Sequence, residues 1–391
     1  MECFKNLGII EPVLRSIEEE KFEKPSEIQE KSIPLVLAGN DVIAMSATGS
    51  GKTLVFGSGI IQKSEKGKGI QALILTPTRE LAEQNTKALR KFSKYKALRI
   101  ASIYGGLSIN PQIHELNFTD VVVGTPGRIL DHIERRTINF SKLKILVLDE
   151  ADRMFDMGFI DDVKTILKMC PAERQTLMFS ATIPKEVSEL ASHYMKKPVK
   201  VSAESHVDPR KLTQVYYNIE DNKKFSLLVY LLKNEKSGLV MVFCNTRKST
   251  DFVANNLSGN GVNAIAIHGG LSQAKRGSIM DNFHSKRVSV LVCTDVAARG
   301  LDIKGVSHVY NYDIPKDNRE YIHRIGRTAR AGNDGKAINL ISGRDHDNFS
   351  RVLRYNDVEI TKEDKIEVPF VDIKWVPRKR SFRKRFFRRN F

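Results

Sequence analysis

Nowhere in the 391 residues is there a run of about 18 apolar side chains, the length a helix needs to cross a bilayer, which argues against a membrane-spanning chain. The opening MECFKNLGIIEPVLRSIEEE lacks a basic start, a continuous apolar stretch and a small-residue cleavage site, so no secretory signal is expected. Cysteine is scarce. Cys3, Cys170, Cys244 and Cys293 stand far apart and form no metal-ligand pair. They are expected to be reduced thiols in a cytoplasmic compartment, a nuclear one being the alternative. Acids are missing altogether from Lys374 to Phe391, where nine residues are Lys or Arg.

What is present describes a globular protein. A hydrophobic fraction of 41% and a charged fraction of 28% are ordinary, and the length suggests two or three domains with cores of their own. The net charge of +17 favours a polyanionic partner, nucleic acid before an acidic membrane surface. The tail WVPRKRSFRKRFFRRNF interleaves arginines with Trp375, Phe382, Phe386, Phe387 and Phe391, a mixture able to neutralise phosphates and stack on unpaired bases. A solvated tail kept for solubility and a nuclear import signal are the competing readings.

Short β-branched runs alternate with helical periodicity: DVIAMSA, QALILTP, DVVVGTP, KILVLDE and QTLMFSA, then GLVMVFCN, NAIAIHGG, VSVLVCTD and KAINLIS. Near-continuous apolar strands between amphipathic helices predict an α/β fold of parallel strands buried on both faces, with ligands at the strands' C-terminal ends. The second series echoes the first. YGGLS at 104–108 returns as HGGLS at 268–272, Thr78-Arg79 as Thr246-Arg247, and Thr125 as Thr294. Near-constant offsets suggest two copies of one unit, joined through the polar stretch at 204–212.

The stretch TGSGKT, Thr48 to Thr53, follows one strand and precedes a helix, the context of a phosphate loop. Gly49 and Gly51, with Ser50 between them, turn backbone N–H groups toward phosphate oxygens. Lys52 can reach the terminal phosphates and the Thr53 hydroxyl can ligate magnesium. The strict spelling fails at its first glycine, where Ser46 stands, and glycine-serine turns are common before helices. A second strand ends in ILVLDEADR. Asp149 occupies the place from which phosphate-loop enzymes hold magnesium, and Glu150 could deprotonate the attacking water. Acids solvated at a helix N-terminus are the plainer reading of the same residues.

With these motifs in order, the chain resembles the DEAD-box RNA helicases, whose name spells residues 149–152, over roughly residues 4–345. PTRELA at 77–82, GG at 105–106, TPGR at 125–128, SAT at 180–182, VFCNT at 242–246, TDVAARGLD at 294–302 and HRIGRTARAG at 323–332 complete the series. The resemblance implies two tandem RecA-like domains with parallel sheets flanked by helices: an ATP-binding domain at 1–203 and a helicase domain at 213–369, with a basic, disordered RNA-binding tail at 370–391. It implies that Phe22 and Gln29 of KFEKPSEIQ recognise adenine, which makes the nucleotide ATP, and that Phe4 is the family's upstream aromatic. Lys21 stands where the family usually has glycine. Arg327 and Arg330 become arginine fingers, Asp302 the ribose contact, and Ser180 and Thr182 the partners that couple Asp152 to RNA.

RNA contacts carried over by motif position are Thr78, Arg79, Gly106, Thr125 and Arg128 in the first domain and Arg247, Gly269 and Thr294 in the second. Small residues, hydroxyls and arginines suit phosphate and 2′-hydroxyl groups, so sequence-independent binding of single-stranded RNA is expected. The implied activity is ATP- and Mg2+-dependent local unwinding of short RNA duplexes by a cytoplasmic monomer without a membrane partner, in company with ribonucleoprotein components. An ATP-gated RNA clamp or assembly protein and a related DNA helicase remain the alternatives. If the tail tethers RNA, deleting residues 374–391 should raise the RNA concentration needed for half-maximal ATPase stimulation. It should also flatten the salt dependence of RNA binding, measured by titration at several salt concentrations.

Overall fold

The computed structural model describes residues 1–46, 49–203, 211–235, 237–298, 303, 305–329, 334–354 and 359–374, with only the backbone of Arg319. Thr48, Asp302, Arg330, residues 204–210 of the expected linker and residues 375–391 of the expected tail lie outside the described residues. The chain divides into two compact units. The first holds β1 (Val42–Met45), β2 (Ala72–Leu75), β3 (Ile100–Ile103), β4 (Val121–Gly124), β5 (Ile145–Asp149), β6 (Gln175–Ser180) and β7 (Val199–Ser202). The second holds β8 (Leu212–Asn218), β9 (Leu239–Phe243), β10 (Ala264–Ile267), β11 (Val290–Cys293), β12 (Val306–Asn311), β13 (Gly335–Ile341) and β14 (Thr361–Lys362).

Every strand pair is parallel. The strand orders are β3-β4-β2-β5-β6-β1-β7 and β10-β11-β9-β12-β13-β8-β14. Raising each number in the first order by seven yields the second, so the echo read in sequence is a repeat of topology. Parallel strands need covered faces, and alternate residues supply the two cores. Ile74 and Val147 pack with Val36, Phe56 and Phe179 on one face, whereas Leu73, Leu75, Leu146 and Leu148 pack with Met154 and Ile166 on the other. Phe4 is buried in the first of these cores. No helix among the described residues is long and apolar enough to cross a membrane.

All nine runs read as strands are strands. Sequence reading passed over β3, β7, β8, β12 and β14, whose polar residues break the apolar run: Ser102 in β3, Lys200 in β7, Ser307 and His308 in β12. Leu212, given to the linker, already belongs to β8. Residues 370–374, given to the disordered tail, are packed against the second unit. Val371 and Ile373 meet its core, the Val371 N–H donates to Ser226 Oγ, and the Lys374 N–H donates to Asn256 Oδ1 at 2.7 Å. Alternating apolar residues Val371 and Ile373 turn one side of this segment toward the core.

The repeat extends to one residue that the motifs did not mark. Lys52 opens the helix after β1, and Lys224 opens the helix Lys224–Asn234 after β8, the corresponding strand. Lys224 Nζ meets Asp345 Oδ2 at 2.5 Å in the interior. Burial lowers the pKa of Lys224 against the pull of Asp345. Burial alone would raise that of Asp345, but Lys224 and Ser342 hold it below the usual carboxylate range. A protein carboxylate thus neutralises this lysine from within the second unit. Asp345→Ala, which strands the buried ammonium, should cost about 3–5 kcal/mol in urea unfolding, and Lys224→Met with Asp345→Leu should recover most of that loss.

Candidate active site

In the first unit the chemistry collects beyond the C-terminal ends of β1, β5 and β6. The Ser26 N–H donates to Gln29 Oε1 at 2.9 Å, a capping box that starts the helix Glu27–Leu37. The same two side chains grip the loop after β1. Ser26 Oγ donates to the Ser50 carbonyl at 2.8 Å and Gln29 Nε2 donates to the Gly51 carbonyl at 3.0 Å. Gly51 has φ +89°, and a Cβ there would lie 2.3 Å from Gln29 Nε2, so glycine is required twice over. Gly49 is also left-handed. Gln29, expected to read adenine, therefore has a tethering role as well, and it keeps one N–H and one lone pair for a base. Phe22 is partly exposed, with its ring 6.2 Å from that of Phe92.

Lys52 is buried and its Nζ donates to the Ser46 carbonyl at 3.3 Å. Thr53 Oγ1 donates to Asn85 Oδ1 at 3.1 Å, and Asn85 Nδ2 donates to Asp149 Oδ2 at 2.8 Å. Asn85 was not singled out from sequence. No motif marks it, and only the packing of its helix, Arg79–Phe92, brings it between the two. A hydroxyl that gives its proton to Asn85 keeps its lone pairs for a cation. Asp149 Oδ1 is buried without a hydrogen-bond partner, and burial pushes this carboxyl's pKa up, with the Lys52 charge opposing. Two hard oxygen donors, one of them unsatisfied, fit a divalent cation such as magnesium.

Glu150 adopts φ 54° and ψ 55°, a left-handed conformation that costs a residue with a side chain about 1–3 kcal/mol. Arg153 Nη1 holds Glu150 Oε2 at 2.5 Å, and both side chains are buried. Asp152 faces the end of β6. Its Oδ2 accepts from the Thr182 N–H at 2.9 Å and from Thr182 Oγ1 at 3.0 Å. Ser180 meets the backbone instead of the carboxylate: its Oγ accepts from the Asp152 N–H at 3.1 Å and donates to the Thr182 carbonyl at 2.6 Å.

The residues assigned to RNA form matching constellations. In the first unit Thr78 Oγ1 accepts from the Leu81 N–H at 3.3 Å to cap its helix, and a Cβ on Gly106 would lie 2.1 Å from Arg79 Nη1. Thr125 precedes the helix Pro126–Glu134, which carries Arg128. In the second unit Thr246 caps its helix through the Ser249 N–H at 3.0 Å, and a Cβ on Gly269 would lie 3.4 Å from Arg247 Nη2. Thr294 is buried at the end of β11. Arg327 is buried, and its Nε donates to the His323 carbonyl at 3.3 Å. The helix Asn318–Ile325 just before it is anchored by Arg324, another residue sequence reasoning passed over. The Arg324 guanidinium meets both Asp295 oxygens at 2.6 Å, and it reaches Asn245 Oδ1 at 2.7 Å and Asn311 Oδ1 at 3.1 Å.

Residues 26–190 match the family model described as DEAD/DEAH box helicase, and 223–332 match the helicase conserved C-terminal domain. The ATP-dependent RNA helicase CshA of Listeria monocytogenes is 46% identical over 88% of this chain and 67% of its own. The chain belongs to the DEAD-box family of ATP-dependent RNA helicases. The DEAD-box ATP-dependent RNA helicase CshA of Geobacillus kaustophilus is 44% identical over 94% of this helicase and 78% of its own length. Among solved structures, S. cerevisiae Dbp5 bound to RNA and ADP BeF3 matches with a TM-score of 0.84 at 33% identity, covering 93% of this helicase and 96% of that chain. A DEAD box protein from the hyperthermophile Methanococcus jannaschii matches with a TM-score of 0.57 at 42% identity, covering 92% and 99%.

Because Asn85 orients both oxygen donors, its removal should be felt through them. Asn85→Ala should raise the magnesium-ATP concentration for half-maximal ATPase activity by about tenfold, read from phosphate release at varied magnesium-ATP.

Proposed function

We propose that this helicase binds single-stranded RNA without sequence preference, closes its two units on ATP, magnesium and RNA, and separates short duplexes by bending one strand. Hydrolysis of ATP to ADP and phosphate then releases the RNA. The observation that carries this reading is the continuity of buried contacts in the first unit, from Thr53 through Asn85 to Asp149 and, two peptide units beyond Glu150, from Asp152 to Thr182. The nucleotide side and the Ser180–Thr182 side share one turn of backbone, so displacement of either strains the other.

In this scheme the N–H groups of residues 49–52 and the Lys52 ammonium bind the phosphates, while Phe22 and Gln29 contact adenine. Thr53 and Asp149 would hold magnesium, which when bound offsets phosphate charge. Glu150, fixed by Arg153, takes a proton from the attacking water. Arg327 supplies positive charge to the transferring phosphoryl group, and Arg330 and Asp302 keep the roles that the family resemblance gives them. Thr78, Arg79, Gly106, Thr125 and Arg128, with Arg247, Gly269 and Thr294, hold the RNA backbone through hydroxyl, N–H and guanidinium groups. The repeated Thr-Arg-Gly geometry supports a single extended ligand gripped twice. The unpaired cysteines support action in a reducing cytoplasm, and we take the working species to be a monomer, with ribonucleoprotein components as its surroundings.

Lys52→Ala and Glu150→Gln should each lower RNA-stimulated ATP hydrolysis by at least about 10²-fold. Glu150→Gln should keep its affinity for ATP and RNA and still displace a short labelled strand once. Wild-type turnover in both variants would sink the scheme, and turnover without strand displacement in the unmutated protein would replace unwinding with clamping.

A further inference from the structure

Gln112 and His132 lie outside every motif read from the sequence, yet both are buried, with Gln112 against Arg128 and His132 against Gln112. Arg128 Nη1 donates to Gln112 Oε1 at 3.1 Å and Nη2 donates to the Leu107 carbonyl at 3.1 Å. Its Nε lies 3.5 Å from Asp131 Oδ2. Of the five guanidinium N–H groups these contacts leave two, one on each terminal nitrogen. Such a fork suits two oxygens of one phosphate.

Gln112 is itself held from three sides. Its Nε2 donates to the Tyr104 carbonyl at 3.1 Å, and His132 Nε2 lies 3.3 Å from its Oε1. A carbonyl can only accept and a guanidinium can only donate, so Tyr104 and Arg128 decide between them which end of the amide faces which. His132 completes the set. It sits four residues after Arg128 on the same helical face, and its Nδ1 lies 2.8 Å from Thr137 Oγ1. Burial lowers the pKa of His132, and the Arg128 charge lowers it further. Because Gln112 Oε1 can only accept, His132 Nε2 carries the proton donated to it, while the Thr137 hydroxyl beside Nδ1 also reaches the His132 carbonyl at 3.2 Å.

We infer that Gln112, seated on His132, is a positioning residue that holds the Arg128 guanidinium with its free fork toward RNA and ties the loop after β3 to the helix after β4. Tyr104 and Leu107 flank Gly105 and Gly106, and the Arg79 guanidinium packs on Gly106. Through Gln112 the three RNA loops of the first unit therefore move together. This rests on the assignment of Arg128 as an RNA contact made above.

A double-mutant cycle in the full chain tests it. Gln112→Met keeps the side chain's length and removes its oxygen and amide. Dissociation constants for a short labelled polyuridine strand are measured with a non-hydrolysable ATP analogue for wild type, Gln112→Met, Arg128→Ala and the double variant, with Tm as the check on folding. Gln112→Met should weaken RNA binding by about three- to tenfold and leave kcat at saturating RNA and the KM for ATP within about twofold of wild type. In the Arg128→Ala background it should add less than about twofold. Separate losses that multiply would overturn the positioning role. Wild-type RNA affinity in Arg128→Ala would overturn the RNA assignment of Arg128, and the inference with it. Should Gln112→Met fail to fold, His132→Phe, which removes the orienting N–H, enters the same cycle with the same two outcomes.

Discussion

A parallel strand covered by helices on both faces has little room for an unsatisfied polar side chain along its length, because its interior positions face a dry core. In β2, β4, β5 and β6 every residue is buried. Polar chemistry is thereby displaced to the residue at which each run stops. Asp149 ends β5, Ser180 ends β6, and the phosphate loop leaves β1. Since neighbouring strands run in one direction and in register, those ends fall side by side, and residues a hundred positions apart become hydrogen-bond partners.

The same constraint explains how one architecture serves two ends in one chain. The two sheets share a strand order, and each places a lysine at the start of the helix that follows the equivalent strand. In the first unit Lys52 is opposed by a backbone carbonyl and a carboxylate that burial discourages from ionising. In the second, Asp345 neutralises Lys224 from within. A buried ammonium with its own counter-charge offers nothing to an incoming phosphate, whereas one facing a glycine turn does. Duplication kept the scaffold, and the two copies differ in the glycine turn before the lysine and in the aspartate that neutralises Lys224.

Rigidity is distributed unevenly around the site. Glu150 is held in an unfavourable backbone conformation and its carboxylate is pinned by a buried arginine. Asp152 is bonded through both its backbone and its side chain to the segment after β6. The loops of the first unit that we propose to meet RNA are tied through guanidinium and amide contacts to buried Gln112. Glu150 and Asp152, the groups we propose for hydrolysis and coupling, are held in place by these bonds.

Apolar periodicity and the spacing of short motifs determined the α/β class, nine of the strands, the duplication and the identity of the residues at the strand ends. Those signals are local, since each depends on a few adjacent residues having the right size and polarity. Tertiary structure alone decided the rest. Asn85, Gln112, His132, Arg324 and Lys224 sit in helices as unremarked polar residues, and their meaning comes from partners supplied by other elements of the fold. Strands with polar interruptions, such as β12, are strands because their neighbours complete the hydrogen-bond ladder. Even Gln29, read from sequence as a base contact, grips the loop after β1. A hydrogen bond between residues distant in sequence leaves no periodic trace in either segment, so it became visible only once the sheet had set the strand ends next to one another.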